Sequence, residues 1–139
     1  SVYPWSDDFE PTRANTFETR IRRTTPTGVF PEGDSVSGVA DGAGNVLEWT
    51  SSLWGVDEDY ENDDPEFGYP YAPDDGREYL DAPPLAARVV RGGSWNFDRH
   101  GARAVYRIGL HPGYRYTNVG FRLVVSSPIS PDALASGAA

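Results

Sequence analysis

Two histidines, His100 and His111, and the carboxylate of Asp98 stand within fourteen positions of one another, the densest grouping of proton-transfer and metal-binding side chains in the sequence. Imidazole and carboxylate groups together serve acid–base chemistry or a metal ion when a fold converges them. The spacing does not force that convergence. Neither histidine belongs to a helical His-x-x-x-His pair, and an ordinary polar loop carries the same three residues. Cysteine is absent, which removes disulfides, thiolate nucleophiles and sulfur-ligated metals. No Ser/His/Asp order, glycine-rich phosphate cradle or close carboxylate pair stands out. Gly92-Gly93 follows an apolar run but lacks nucleotide-loop spacing, so it reads as a bulge or a close approach of two backbones. What remains is recognition. Phe97, His100, Tyr114 and Tyr116 offer large contact area with polar tips, as antibody loops do.

The elements that must position these residues are strands and loops. Val89–Val90 and Val119–Val125 bracket the segment, the second alternating Val119, Phe121, Leu123 and Val125 on one face. Asn45–Thr50 (NVLEWT) reads as a short strand with Val46 and Trp49 as its bulky members. Ala102–Ile108 alternates in a two-sided strand pattern. Tyr3–Phe17 reads as an ordered aromatic loop, and the turn chemistry of Thr25–Asp34 places Val29 and Phe30 in the core. Asp57–Asp81 is an acidic surface loop pinned by its aromatics. It is not an EF-hand, because Asn62 stands where the sharp turn needs Gly. Residues 128–139 read as a flexible tail. No stretch shows capped helical periodicity.

The 139 residues suit one domain, and the net charge is −9 with every cation an Arg. So acidic a chain repels nucleic acid and anionic membrane, although Arg99, Arg103, Arg107 and Arg115 cluster in sequence. No apolar run is long enough to span a bilayer. No nucleic-acid partner and no membrane segment are therefore expected.

Three motifs in order, DGAGNVLEWT (Asp41–Thr50), RVVRGGSW (Arg88–Trp95) and NVGFRLV (Asn118–Val124), resemble those of the formylglycine-generating-enzyme (sulfatase-modifying factor) family. Tyr3-Pro4-Trp5 and TPTGVFP (Thr25–Pro31) sit where that family has similar stretches. The resemblance implies an irregular α+β fold, a β- and loop-rich C-type lectin variant. It also implies that residues 1–127 are only the C-terminal part of the full domain. The family's first half, with its helices, is not in this sequence. The remainder of the domain, or a second chain, is expected to complete the fold.

The family's copper-dependent oxidation of a cysteine uses cysteines soon after the GGS motif. Here Asn96–Ala102 holds no thiol, so copper is excluded as a cofactor. Another branch binds non-haem iron through histidines, and such a site would need ligands from outside this chain. The resemblance further implies a structural calcium at Asp41, Gly44, Val46 and Glu48, combining two carboxylates with two backbone carbonyls. Its rival is a pairing of Glu48 with Arg91 or Arg122. A second family calcium site would use Asn15, but no Asp follows to complete it.

A narrower resemblance lies inside the first. Variable proteins of diversity-generating retroelements carry a hypervariable cassette that begins near RGGSW and ends near GFR. Adenine-directed mutagenesis converts Asn codons into a limited residue set. Phe97, Asp98, His100, Gly101, Ile108, Gly109, Leu110, His111, Tyr114, Tyr116, Thr117 and Asn118 are all reachable in this way. They alternate with scaffold-like Trp95, Ala102, Arg103, Tyr106, Arg107 and Pro112. The expected function is a non-enzymatic ligand-binding display domain whose exchangeable surface meets an unknown protein or other ligand. The alternative is an enzyme or regulatory domain, for example an iron-dependent oxidase, with catalytic residues outside this chain. The expected location is cytoplasmic, with the cell surface and a phage particle as alternatives. Phe97, Asp98, His100, His111, Tyr114 and Tyr116 should face solvent together, while Trp95, Tyr106, Phe121 and Leu123 should be buried.

Overall fold

A computed structural model describes residues 1–56 and 65–125. Residues 57–64 of the acidic loop and the expected tail at 128–139 lie outside the described residues. The strands are β1 (Leu47–Leu53), β2 (Arg88–Arg91), β3 (Arg107–Leu110) and β4 (Val119–Gly120), joined in one sheet of order β3-β2-β1-β4. β2 runs antiparallel to both β1 and β3, whereas β4 pairs with β1 in parallel. Short 3-10 turns at Pro11–Arg13, Phe17–Thr19 and Pro31–Gly33 are the helical elements among the described residues.

The central strands form where apolar residues concentrate. Val89, Val90, Leu47 and Leu53 are buried to within a few percent. Leu53 packs with Phe67, Ala82 and Ala86 at one end of the sheet. At the other end Tyr3, Ala14, Ala43 and Ala102 make a second core patch. Tyr3 there stacks on Trp5 at 5.5 Å and meets Phe9 at 5.4 Å.

Two tight approaches hold this end together. Gly44, at φ +78°, lets the Asn15 carbonyl come within 2.5 Å of where a Cβ would stand. Gly93, at φ +70°, does the same for the Gly101 carbonyl at 2.6 Å. A side chain at either site would collide with backbone in a conformation that L residues rarely adopt. The Gly92-Gly93 pair is thus a close backbone approach. Asn15 is 1 % exposed, and its amide donates to the Arg23 carbonyl, Thr25 Oγ1 and Asn45 Oδ1.

Several expectations fail here. β4 ends at Gly120, and Phe121 and Leu123 are 73 % and 87 % exposed rather than buried. Alternation makes a strand only where a neighbour supplies hydrogen bonds and a covered face, and the described residues offer neither beyond Gly120. Ala102–Ile108 is not a strand along its length: β3 begins at Arg107, and Ala104 instead donates its N–H to the Val2 carbonyl. Val29 is 51 % exposed and Phe30 half-buried. The left-handed turn at Gly28 donates its N–H to Asp41 Oδ2 and carries Val29 outward. Trp95 and Tyr106 are half-buried.

Candidate functional site

Residues 96–118 connect β2 to β4, taking in β3 on the way. Their two ends are tied together. The Asn118 amide donates to Asn96 Oδ1 at 2.9 Å and to Ser94 Oγ at 3.2 Å, and Ser94 donates to Asn96 Oδ1 at 2.7 Å. Ser94 is fully buried, so this clasp is rooted in the frame.

Within the clasp the residues fall into distinct groups. Asp98 and His100 are exposed on a tight turn, where the His100 N–H bonds Asp98 Oδ1 at 2.9 Å. Phe97 is half-buried and meets Tyr106 edge-on at 5.9 Å. Burial raises the Tyr106 phenol above its ordinary pKa, with the Asp98 charge adding to the effect and Arg103 opposing it. Phe17, Asn96, Phe97, Asp98, His100, Gly101 and Tyr106 line an open concavity of about 430 Å³. Further on, His111, Tyr114 and Tyr116 form an aromatic chain with ring centroids 5.7 Å and 5.6 Å apart. Tyr114, Tyr116 and Thr117 are exposed and His111 half-buried.

Other positions expected to be exchangeable are held by the frame. Gly109 is buried, pairs with Val89, and a Cβ there would lie 2.4 Å from the Trp54 indole. Trp54 cannot easily yield, because the Arg107 guanidinium sits over its ring at 5.1 Å and over Tyr69 at 4.7 Å. Burial lowers the Arg107 pKa from its ordinary value. Gly101 is buried too, with Phe97 atoms 2.8–2.9 Å from its missing Cβ, so positions 97 and 101 must change together. Ile108 and Leu110 are half-buried on β3, opposite Val90 and Arg88. Asn118 is the clasp. These five therefore do not stand free in solvent, contrary to what codon accessibility suggests. Phe17 is the contact residue that sequence reasoning missed. Its N–H donates to the Phe97 carbonyl at 2.9 Å, a pairing between distant loops with no local signal.

Three of the four positions of the calcium expectation, Asp41, Gly44 and Glu48, take part in hydrogen bonds. Arg122 donates through Nε and Nη2 to both oxygens of Glu48, and to the carbonyls of Ala40 and Asp41. The bonds to Glu48 raise the Arg122 pKa above its ordinary value, against the opposing effect of burial. Asp41 Oδ2 accepts the Gly28 N–H, and the Gly44 N–H donates to the Gly92 carbonyl. As arranged, the Glu48 carboxylate holds a guanidinium, the rival pairing to a calcium ion. Among the described residues no three His, Cys, Asp or Glu side chains come together as metal ligands.

A family model for the sulfatase-modifying factor enzyme 1-like domain matches residues 1–127. The chain belongs to that family. A serine/threonine-protein kinase Pkn1 of Chlamydia trachomatis is 32 % identical over 86 % of the chain, which spans 17 % of the kinase. The inactive C-alpha-formylglycine-generating enzyme 2 of Bos taurus is 27 % identical over 96 % of the chain and 40 % of its own length. Among solved structures, Treponema denticola variable protein 1 is similar with a TM-score of 0.58 and 24 % identity, covering 87 % of this chain and 40 % of that one. The fold is accordingly the C-type lectin-like fold of this family. The chain spans less than half the length of each of these relatives. Among the described residues no helix is long and apolar enough to cross a membrane.

Proposed function

We propose that this sulfatase-modifying-factor-like domain is a non-enzymatic ligand-binding display domain, the variable protein of a diversity-generating retroelement. One observation carries the reading. Between a clasped base and a glycine-locked sheet, Asp98, His100, Tyr114, Tyr116 and Thr117 are exposed. Surface side chains of this kind exchange with little effect on stability, which is what a diversified surface requires. The fold likeness to a variable protein and the similarity to a protein named inactive support it. The test is a library randomised at these five positions. Most members should fold, and selection against immobilised proteins should enrich distinct sequences for distinct targets. Metal-dependent turnover by the intact protein, abolished by changing His100 or His111, would overturn the reading.

The similarity to a kinase favours a second reading, a regulatory domain attached to an enzyme whose catalytic residues lie outside this chain. Phosphorylation or oxidation activity of the intact protein that responds to Tyr114→Ser would support it. The outward display of Phe121, Leu123, Val124 and Val125 supports a companion expectation. The rest of the domain, or a second chain, covers this strip. The calcium expectation reduces to one measurement: if Asp41, Gly44, Val46 and Glu48 hold calcium, a chelator lowers Tm. If Arg122 takes that place, Tm stays unchanged. A cytoplasmic location is proposed with it, and fractionation of the native host checks that.

A further inference from the structure

We propose that the concavity between Phe17 and the Asn96–Tyr106 stretch binds a basic side chain, arginine or lysine, presented by a protein partner; this rests on the display reading and names the ligand chemistry of one part of that surface. The walls are aromatic on three sides: Phe17 is 56 % exposed, and Phe97 and Tyr106 meet edge-on. Aromatic faces attract ammonium and guanidinium groups and accept their aliphatic stems. Asp98 is the one acidic side chain in the lining. The turn engages only its Oδ1, through the His100 N–H, so Oδ2 is left for a ligand. Tyr106 keeps a neutral hydroxyl, because burial pushes its phenol up.

The nearest cation, Arg103, stands close enough for its charge to act on Tyr106 but is held by backbone. Arg103 donates Nε to the His100 carbonyl, and neither Arg103 nor Arg99 lines the concavity. Glu18 lies beside it, accepting the Arg99 N–H. Over longer range the net charge of −9 favours a basic partner's approach. Phe17 gives the site its logic. It lies outside the exchangeable segment and supplies a fixed apolar wall, against which changes at Phe97, Asp98 and His100 alter selectivity.

The test is an NMR titration of the intact protein with Nα-acetyl-arginine methylamide and with its citrulline counterpart, which has the same shape without the charge. Saturable shifts at Phe17, Asp98 and Tyr106, with the arginine probe binding about fivefold tighter, are expected. Asp98→Asn, or Asp98→Ser if the first folds poorly, should cut the preference for charge to about twofold or less, the part that the aromatic walls supply. Phe17→Ala should weaken both probes and keep most of the preference. Equal binding of the two probes, shifts confined to other residues, or a preference undiminished by Asp98→Asn overturns the proposal. So does tighter binding of Nα-acetyl-glutamate methylamide at the same residues. The broader display reading fails separately, if exchanges at Tyr114 and Tyr116 unfold the protein while the parent protein binds the arginine probe as expected.

Discussion

Gly109 and Tyr116 belong to the same connection between β2 and β4, yet they stand under opposite constraints. Gly109 is buried in an edge strand with an indole where its side chain would be, whereas Tyr116 is 54 % exposed and touches another exposed tyrosine. The difference shows that exchangeability is set by the space above each Cα. Membership of a segment, or of a codon class, does not decide it. On the display reading, the surface is a mosaic of fixed points and free positions, and the fixed points keep the free ones in place.

The largest expected effect tests the fixed side of that contrast. Gly109→Ala should destabilise by about 3 kcal/mol, because neither Trp54 nor the Arg107 guanidinium over it can move without losing packing. Urea unfolding followed by tryptophan fluorescence measures it, and a cost near zero would make Gly109 an exchangeable position after all. Next is Arg122→Met, which leaves the Glu48 carboxylate without its donors and frees two carbonyls. A loss of about 2 kcal/mol is expected. Asn118→Ala should cost about 1 kcal/mol, since Ser94 and Asn96 still bond each other when the clasp opens. Hydrogen exchange should then rise in residues 111–117 more than in β2.

The frame also answers to acid. Glu78 accepts hydrogen bonds from the hydroxyls of Ser52, Ser51 and Tyr71. Burial raises its pKa, but these bonds outweigh that and hold the carboxyl below its ordinary value. Their stabilisation is fully present above the unfolded-state pKa and fades as pH falls through the lowered folded one. Glu78→Gln should therefore flatten the acid limb of a Tm-against-pH curve. An unchanged limb would mean that these bonds do not link the 65–87 stretch to β1 in solution.

The frame was legible in sequence because its residues obey local rules. Val89–Val90 and the NVLEWT stretch are apolar enough to demand burial, and Gly92-Gly93 can only mean an unusual backbone. Other parts depend on neighbours distant in the chain. The alternation of Phe121, Leu123 and Val125 resembles that of a real strand, but pairing is a property of two segments and the second is not among the described residues. Gly109 is a single small residue whether it is exchangeable or locked, and only the position of Trp54 distinguishes the two. Phe17 carries no periodicity, and the hydrogen bond that brings it beside Phe97 joins loops far apart in sequence. Of the calcium set, Glu48 and its rival partner Arg122 were both readable, but their bidentate pairing is visible only in the geometry.

The smallest expected effect tests the free side of the contrast. Tyr114→Ser and Tyr116→Ser, singly and together, should each change stability by less than about 0.5 kcal/mol. What they lose are the contacts of Tyr114 with Tyr116 at 5.6 Å and with His111 at 5.7 Å, which solvent already weakens. On the display reading, their rings contribute contact area to a partner instead. The double variant should therefore fold as the parent does and lose affinity for any target selected through this tip. It should also keep the concavity at Phe17 intact, because the tip and that lining share no residue. Equilibrium unfolding beside a binding titration separates the two roles. A destabilisation comparable to that of Gly109→Ala would place Tyr114 and Tyr116 in the frame, and the contrast between fixed and free positions would dissolve.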